Sequence, residues 1–254
     1  MRILYAGDSP VGGSANYLLA VLRALRATVR HVPPALMLSP QLLRVRYDAI
    51  IVSDFSSQHT PRASQRAILQ QVEAGTGLLM IGGWGSFSGP FGHWRGSLLE
   101  TALPVRCLTH DDRVNFPGGA VVIPRVPHPM FRGLSFARPP SICGLNLVQP
   151  KSQSRVVLSA RQIRTPERPE AKALHITLDP RAYPLLVLDG HSQRRIAALT
   201  TDVAPHWCGG LVDWGRRRVT LPVTKSIHVE VGDRYVQFLS CLITWLGGTR
   251  FHVD

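Results

Sequence analysis

Two stretches of this 254-residue chain gather residue types that can do chemistry. The first is GGWGSFSG at 82–89, which follows the apolar run at 78–81. Glycines at that density allow positive φ and a close approach of backbone to a ligand. The backbone N–H groups of Gly83 and Gly85, with the hydroxyls of Ser86 and Ser88, would form a nest for an anion or a carbonyl oxygen. Trp84 would wall it. The G-x-G-x-x-G order of a dinucleotide loop is absent, as is the G-K-[ST] of a P-loop. A tight turn with Trp84 and Phe87 packed inward is the other reading of the same residues.

The second stretch is TTDVAPHW at 200–207. Asp202 and His206 stand four apart, Pro205 fixes the backbone before the histidine, and Trp207 follows. A carboxylate, an imidazole and an indole at a strand end can orient a substrate or form an acid–base pair. A metal there would want a third ligand, and the sequence names none. Hydrogen-bonded scaffold under a loop is the alternative. Asp8 and Asp54 join the candidates because each closes an apolar run, although a turn aspartate needs no ligand.

The elements that must position these residues alternate between strand and helix in the first half. RILYAG at 2–7 reads as a strand, followed by a turn through Pro10, Gly12 and Gly13. Ser14 is placed to cap a helix carrying Tyr17, Leu18, Val21, Leu22 and Leu25 at helical spacing. Strands are expected at 29–32, 47–53 and 78–81, with a helix begun by Pro61 and carrying Ala67, Ile68, Gln71 and Val72 between the last two. Strands joined by helices of this length predict a doubly wound, mostly parallel α/β sheet with helices on both faces.

The second half predicts an antiparallel extension. Strands are expected at 114–124, 141–148, 155–160 and 174–178, with 149–172 as an exposed hairpin or loop excursion. The runs at 183–189 and 195–200 read as a hairpin about GHSQR, and 233–246 as a terminal amphipathic helix with Tyr235, Phe238, Leu239, Leu242 and Trp245 inward. No repeat or linker divides the chain, so one domain over 1–254 is expected. In an open parallel sheet ligands bind outside the carboxyl ends of the strands, the edge where Asp8, Asp54, 82–89 and 200–207 fall.

With GGWGSFSG and TTDVAPHW, the stretches HPMFRGL at 128–134 and GGLVDWG at 209–215 complete a set. As a set they resemble the glutamine amidotransferase-like family, within the class I glutamine amidotransferase-like superfamily and near the trehalose-utilisation-type proteins. The resemblance implies a flavodoxin-like α/β sandwich. It also implies, for active members, a cysteine at a G-x-C-x-G elbow and a later His-x-Glu. Here the matching strand end reads Ile81-Gly82-Gly83-Trp84-Gly85-Ser86, Cys107 lies outside the motif, and His206 is followed two residues on by Cys208. The expectation is therefore an amidotransferase-like protein without the catalytic cysteine, binding a small polar or anionic ligand or a protein partner at the strand-end edge. One alternative is a hydrolase with Ser86 or Ser88 as nucleophile and His206 with Asp202 as base.

Composition bounds the rest. At 44% hydrophobic and 18% charged residues the chain is neither disordered nor a coiled coil. The net charge of +13 comes from 29 Lys and Arg, of which only Lys151, Lys172 and Lys225 are lysine. The arginines are dispersed, with short clusters at Arg23/Arg26/Arg30, Arg161/Arg164/Arg168 and Arg216/Arg217/Arg218. Nucleic-acid or acidic-partner binding through them is the second alternative, and solvated surface charge the plainer reading. No apolar run approaches the roughly 18 residues that span a bilayer, and MRILYAGDSP has no signal-peptide pattern, so a cytoplasmic protein without a membrane partner is expected. Cys107, Cys143, Cys208 and Cys241 form no C-x-x-C pair and suggest no zinc site. No cofactor is called for, and Trp207 and Trp214 offer a homo-oligomer contact or a pocket wall.

Overall fold

The computed structural model describes residues 1–9, 13–164, 176–191 and 193–248. The chain begins with β1 (Arg2–Gly7), α1 (Ser14–Ala24), β2 (Thr28–Val32), β3 (Ala49–Ser53), α2 (Arg62–Glu73) and β4 (Gly77–Ile81). Side chains alternate across a strand, and here both faces are apolar. Ile3 and Tyr5 of β1 enter one core while Leu4 and Ala6 enter the other. Leu79 and Ile81 of β4 likewise oppose Leu78 and Met80. Helix α1 covers the first face through Leu18, Val21 and Leu22, and α2 covers the second through Ile68 and Val72.

Two helix starts differ from expectation. Gly13 at φ 92°, not Ser14, is the N-cap of α1, because a left-handed glycine turns the chain into the helix without a side-chain cap. Pro61 is the N-cap of α2 rather than a first-turn residue. Pro10 and Gly12 lie outside the described residues.

Next come α3 (Leu98–Ala102), β5 (Val105–Cys107), β6 (Arg113–Pro124), β7 (Ser141–Asn146), β8 (Val148–Pro150), β9 (Ser154–Arg164), β10 (Thr177–Leu178), β11 (Tyr183–Asp189) and β12 (Ile196–Leu199). The main sheet has the order β2-β1-β3-β4-β12-β11-β9-β6-β7, with β10 on β9. Pairing is parallel from β2 through β12 and antiparallel beyond it. Along that path only β11 and β6 run against the rest. The parallel order 2-1-3-4 followed by a fifth strand is that of a flavodoxin-like sheet, and the antiparallel extension and the 183–200 hairpin are present.

The strand expected at 155–160 is present as β9 and runs longer, Ser154–Arg164. These residues therefore lie inside the sheet rather than in an exposed excursion over 149–172, with Val157, Leu158 and Ala160 buried between β11 and β6. A hairpin does follow, with Arg164 opposite Thr177. The expected strand positions 174–175, together with Arg168 and Ser192, lie outside the described residues.

The chain finishes with α4 (Pro205–Cys208), β13 (Arg218–Pro222), β14 (His228–Gly232) and α5 (Asp233–Leu246). Helix α5 joins α1 on the first face through Tyr235, Phe238, Leu239 and Leu242, each worth roughly 1.5–3 kcal/mol of burial. Trp245 is only half-buried against that core. The antiparallel β13–β14 hairpin packs on α1 and had no counterpart in the sequence reading. Among the described residues no helix is long and apolar enough to cross a membrane.

Candidate functional site

Register brings the candidates to one edge. Gly7 of β1 pairs with Ser53 of β3, Ser53 with Ile81 of β4, and Ile81 with Leu199 of β12. The next residues along these parallel strands are Asp8, Asp54, the glycine loop and the 200–202 turn, so four strand ends open on the same side.

Three carboxylates meet there. Asp8 is 5% exposed, and its Oδ2 accepts the Tyr5 hydroxyl at 3.2 Å and the Ser53 hydroxyl at 3.4 Å. His31 stacks on Tyr5 and donates through Nε2 to the Gly7 and Asp8 carbonyls at 2.8 and 2.9 Å. Burial first, and the Asp54 charge second, push Asp8 up to about 7. Asp54 sits at φ 49°, a left-handed position that aspartate tolerates. Its carboxyl is raised by burial, while the Gly85 N–H and His206 pull it down. Asp202 is fully buried and raised well above the usual range by burial, then by Asp8. Its Oδ1 accepts the N–H groups of Val203 at 2.5 Å and Ala204 at 3.2 Å, turning the chain into α4. Its Oδ2 has no aligned hydrogen bond; His206 Nε2 lies 3.2 Å away. The imidazole of His206 is half-exposed, so it connects a buried acid to solvent.

The glycine loop holds Asp54 and a further acid, Asp112, rather than waiting for an outside anion. The Gly85 N–H is donated to the Asp54 carboxylate, the Ser88 N–H to Asp112 Oδ2 at 2.7 Å, and the Gly83 N–H to Asn146 Oδ1 at 2.9 Å. Asn146 Nδ2 in turn donates to Asp112 Oδ1 at 2.6 Å and to the Gly83 carbonyl at 3.2 Å. The expected nest is therefore filled from within. Close approach is the reason for glycine at 83, where a Cβ would lie 2.7 Å from Asp54 Oδ1. Asp112 and Asn146 escaped the sequence reading, because nothing local marks residues that arrive from β6 and β7.

Neither serine is poised as a nucleophile. Ser86 is buried, donates to the Ile81 carbonyl at 2.5 Å and accepts the Asp54 N–H at 3.0 Å. Ser88 donates to the Leu108 carbonyl at 2.6 Å. Among the described residues no hydrogen bond joins either hydroxyl to His206. Trp207 is likewise scaffold: it is buried, donates to Asn115 Oδ1 at 2.8 Å, and lies where a Cβ on Gly144 would meet its ring at 2.5 Å. Trp214 is buried too, with its N–H on the Arg138 carbonyl, so neither indole offers an exposed contact.

Of the two aromatics in the packed-turn reading, Phe87 is buried in the core as expected and Trp84 is not. It is 46% exposed, stacks on Phe91 and carries the Arg113 guanidinium 4.1 Å above its ring. Phe91, 60% exposed, borders a cleft of about 360 Å³ with Asp54, Gly85, Ser56, His59 and His93. The two histidines were not singled out from sequence. Among the described residues no group of three or more His, Cys, Asp or Glu side chains is placed to hold a metal ion.

The arginine clusters are partly neutralised. Arg164 pairs with the Asp179 carboxylate while Arg161 donates to the Asp179 and Leu178 carbonyls, and Arg218 pairs with Asp213 and Glu230. Arg217 Nε is 3.6 Å from Asp233 Oδ2.

Comparison with known proteins agrees with this architecture. The family model described as "putative glutamine amidotransferase" matches residues 11–221. A cytoplasmic protein of Salmonella typhimurium superposes with a TM-score of 0.67 at 23% identity, covering 96% of this chain and 98% of its own. A second cytoplasmic protein of Salmonella typhimurium LT2 gives 0.63 at 22%, with 98% of each chain covered. A ThuA-like protein from Parabacteroides merdae gives 0.60 at 13%, covering 100% of this chain and 92% of its own. At these identities the likeness carries the fold alone. No curated protein sequence matches the chain.

Proposed function

The chain belongs to the glutamine amidotransferase-like family, and from that premise we propose a protein that keeps the fold without the thiol chemistry. It binds a small polar ligand at the strand-end cleft. The observation that carries this reading is the convergence of Asp8, Asp54 and Asp202 on one edge, each with its carboxyl raised by burial. Carboxyls so arranged accept from a ligand's hydroxyl or amine groups and, where burial keeps them protonated, also donate to it; whatever charge they do carry disfavours an anion. The anionic branch of the sequence reading is therefore set aside for this cleft.

Each residue has a part in that reading. Asp54 faces the cleft beside Gly85 and accepts from the ligand. Asp8 and Asp202 lie behind it as buried acids pushed toward their neutral forms, and the half-exposed His206 stands between Asp202 and solvent. Phe91 offers an apolar wall. The turn after β4 holds no cysteine, and Cys107 and Cys208 are buried with thiols that burial pushes up, the opposite of an activated thiolate. The serine-hydrolase alternative has no support in the hydroxyl partners. Two structural relatives are described as cytoplasmic, and the same compartment is proposed for this chain.

Ammonia release from glutamine tests the loss of thiol chemistry. The expected rate is that of a protein-free blank. Glutamine-dependent release that disappears in His206→Ala would overturn the proposal.

A further inference from the structure

A second pocket, built from different residues, carries the opposite charge. It occupies about 410 Å³ and is lined by Arg95, Gly96, Glu100, Thr101, Arg106, Cys107 and Lys151. The topology assembles it from separate segments. Strand β5 turns Val105 and Cys107 inward and Arg106 outward, and pairs with β8 so that Arg106 lies opposite Gln149. Lys151 follows β8 directly and reaches across to α3.

The acid in this pocket is already committed. Glu100 Oε2 accepts the Gly96 N–H at 2.6 Å and Oε1 accepts the Cys107 N–H at 2.7 Å. Lys151 Nζ donates to the carbonyls of Glu100 and Thr101, both at 2.9 Å, at the end of α3. An ammonium has three protons, so one is left. Among the described residues no carboxylate lies within ion-pair distance of Arg95, Arg106 or Lys151. Burial lowers the Lys151 ammonium below the usual lysine value, Glu100 draws it part of the way back, and Arg106 pushes it down again. Like charges thus face one another around a hollow with a single, internally held carboxylate.

We infer that this pocket binds a dianionic phosphate group, with Arg95 and Arg106 as the forked donors and Lys151 as the fixed point charge. Three cations against one carboxylate match a dianion, and planar guanidinium groups suit phosphate oxygens. The hollow is larger than a phosphate ion, which leaves room for a small group esterified to it.

The test is thermal shift with inorganic phosphate and with glycerol phosphate, each against sodium chloride at equal ionic strength. The charge is removed at Arg95→Ala/Arg106→Ala, because both side chains are exposed and, among the described residues, make no hydrogen bond or ion pair, whereas Lys151 holds α3. The expected result is stabilisation beyond chloride, weakened at least tenfold in apparent affinity by the double change. The control Arg216→Ala/Arg217→Ala should keep it. Response to glycerol phosphate alone assigns the pocket to a phosphate ester, and response to both assigns it to the phosphate group itself. Stabilisation no greater than chloride, or unchanged in Arg95→Ala/Arg106→Ala, overturns the inference.

Discussion

Asp202 and His206 face each other across one turn, Oδ2 to Nε2 at 3.2 Å, and only the imidazole reaches solvent. The other oxygen of Asp202 holds the Val203 and Ala204 N–H groups. A single buried carboxyl therefore shapes the start of α4 and lies against Asp8 and Asp54 at the strand ends, whose charges push it further toward its neutral form.

These two roles separate by substitution. Asp202→Asn keeps an acceptor for the two N–H groups and replaces a carboxyl that burial already pushes toward its neutral form, so it should be at least as stable as the parent at pH 7.5. Asp202→Ala removes the acceptor and should cost about 1–2 kcal/mol. Urea unfolding of both variants decides, and equal losses would contradict the acceptor role given to Asp202.

Stability should fall as pH rises from about 4 to 7. Asp8 titrates at about 7 and Asp112 at about 6 when folded, against 3.8 for the ordinary side chain. In that window the folded chain holds more protons than the unfolded chain, so raising the pH favours unfolding. The carboxyls of Asp111 and Asp179 are depressed by hydrogen bonds from Arg113 and Arg181 and act in the opposite sense at lower pH. Urea midpoints across pH 5–8 measure the slope, and Asp8→Asn should reduce it.

The sequence made the scaffold legible because its signals are local. Alternating apolar runs such as Ile3–Tyr5 against Leu4–Ala6 announce strands buried on both faces, and glycine and aspartate mark their ends. Partnerships over long sequence distance left no such trace. Gly83 with Asn146 and Ser88 with Asp112 are paired across 63 and 24 positions, and they turned an expected ligand nest into a closed support. The β13–β14 hairpin was missed for a related reason: its outward residues, Arg218, Glu230 and His228, mask the short apolar alternation.

Ser86→Ala should report on structure and not on chemistry. It removes the hydroxyl that joins the Ile81 carbonyl to the Asp54 N–H inside the protein. A loss of about 1–3 kcal/mol is expected by denaturant titration. A wild-type stability would contradict the role given to this hydroxyl.

Gly83→Ala should be more damaging than its size suggests. Its φ of 148° lies where side chains are rarely found, and the added methyl would press on the Asp54 carboxylate. Backbone strain of this kind costs about 1–3 kcal/mol. Thermal unfolding of Gly83→Ala measures it, with Gly83→Ala/Asp54→Ser as the variant that should recover part of the loss.

The acidic character of the strand-end cleft is tested most directly by one ligand screen on the parent chain and Asp54→Asn. Thermal shifts are read for matched neutral polyols, amines and carboxylic acids, in the Arg95→Ala/Arg106→Ala background so that the basic pocket is silent. The predicted result is stabilisation by polyols or amines, lost in Asp54→Asn, with none from the acids. Stabilisation by the acids that persists in Asp54→Asn would contradict it.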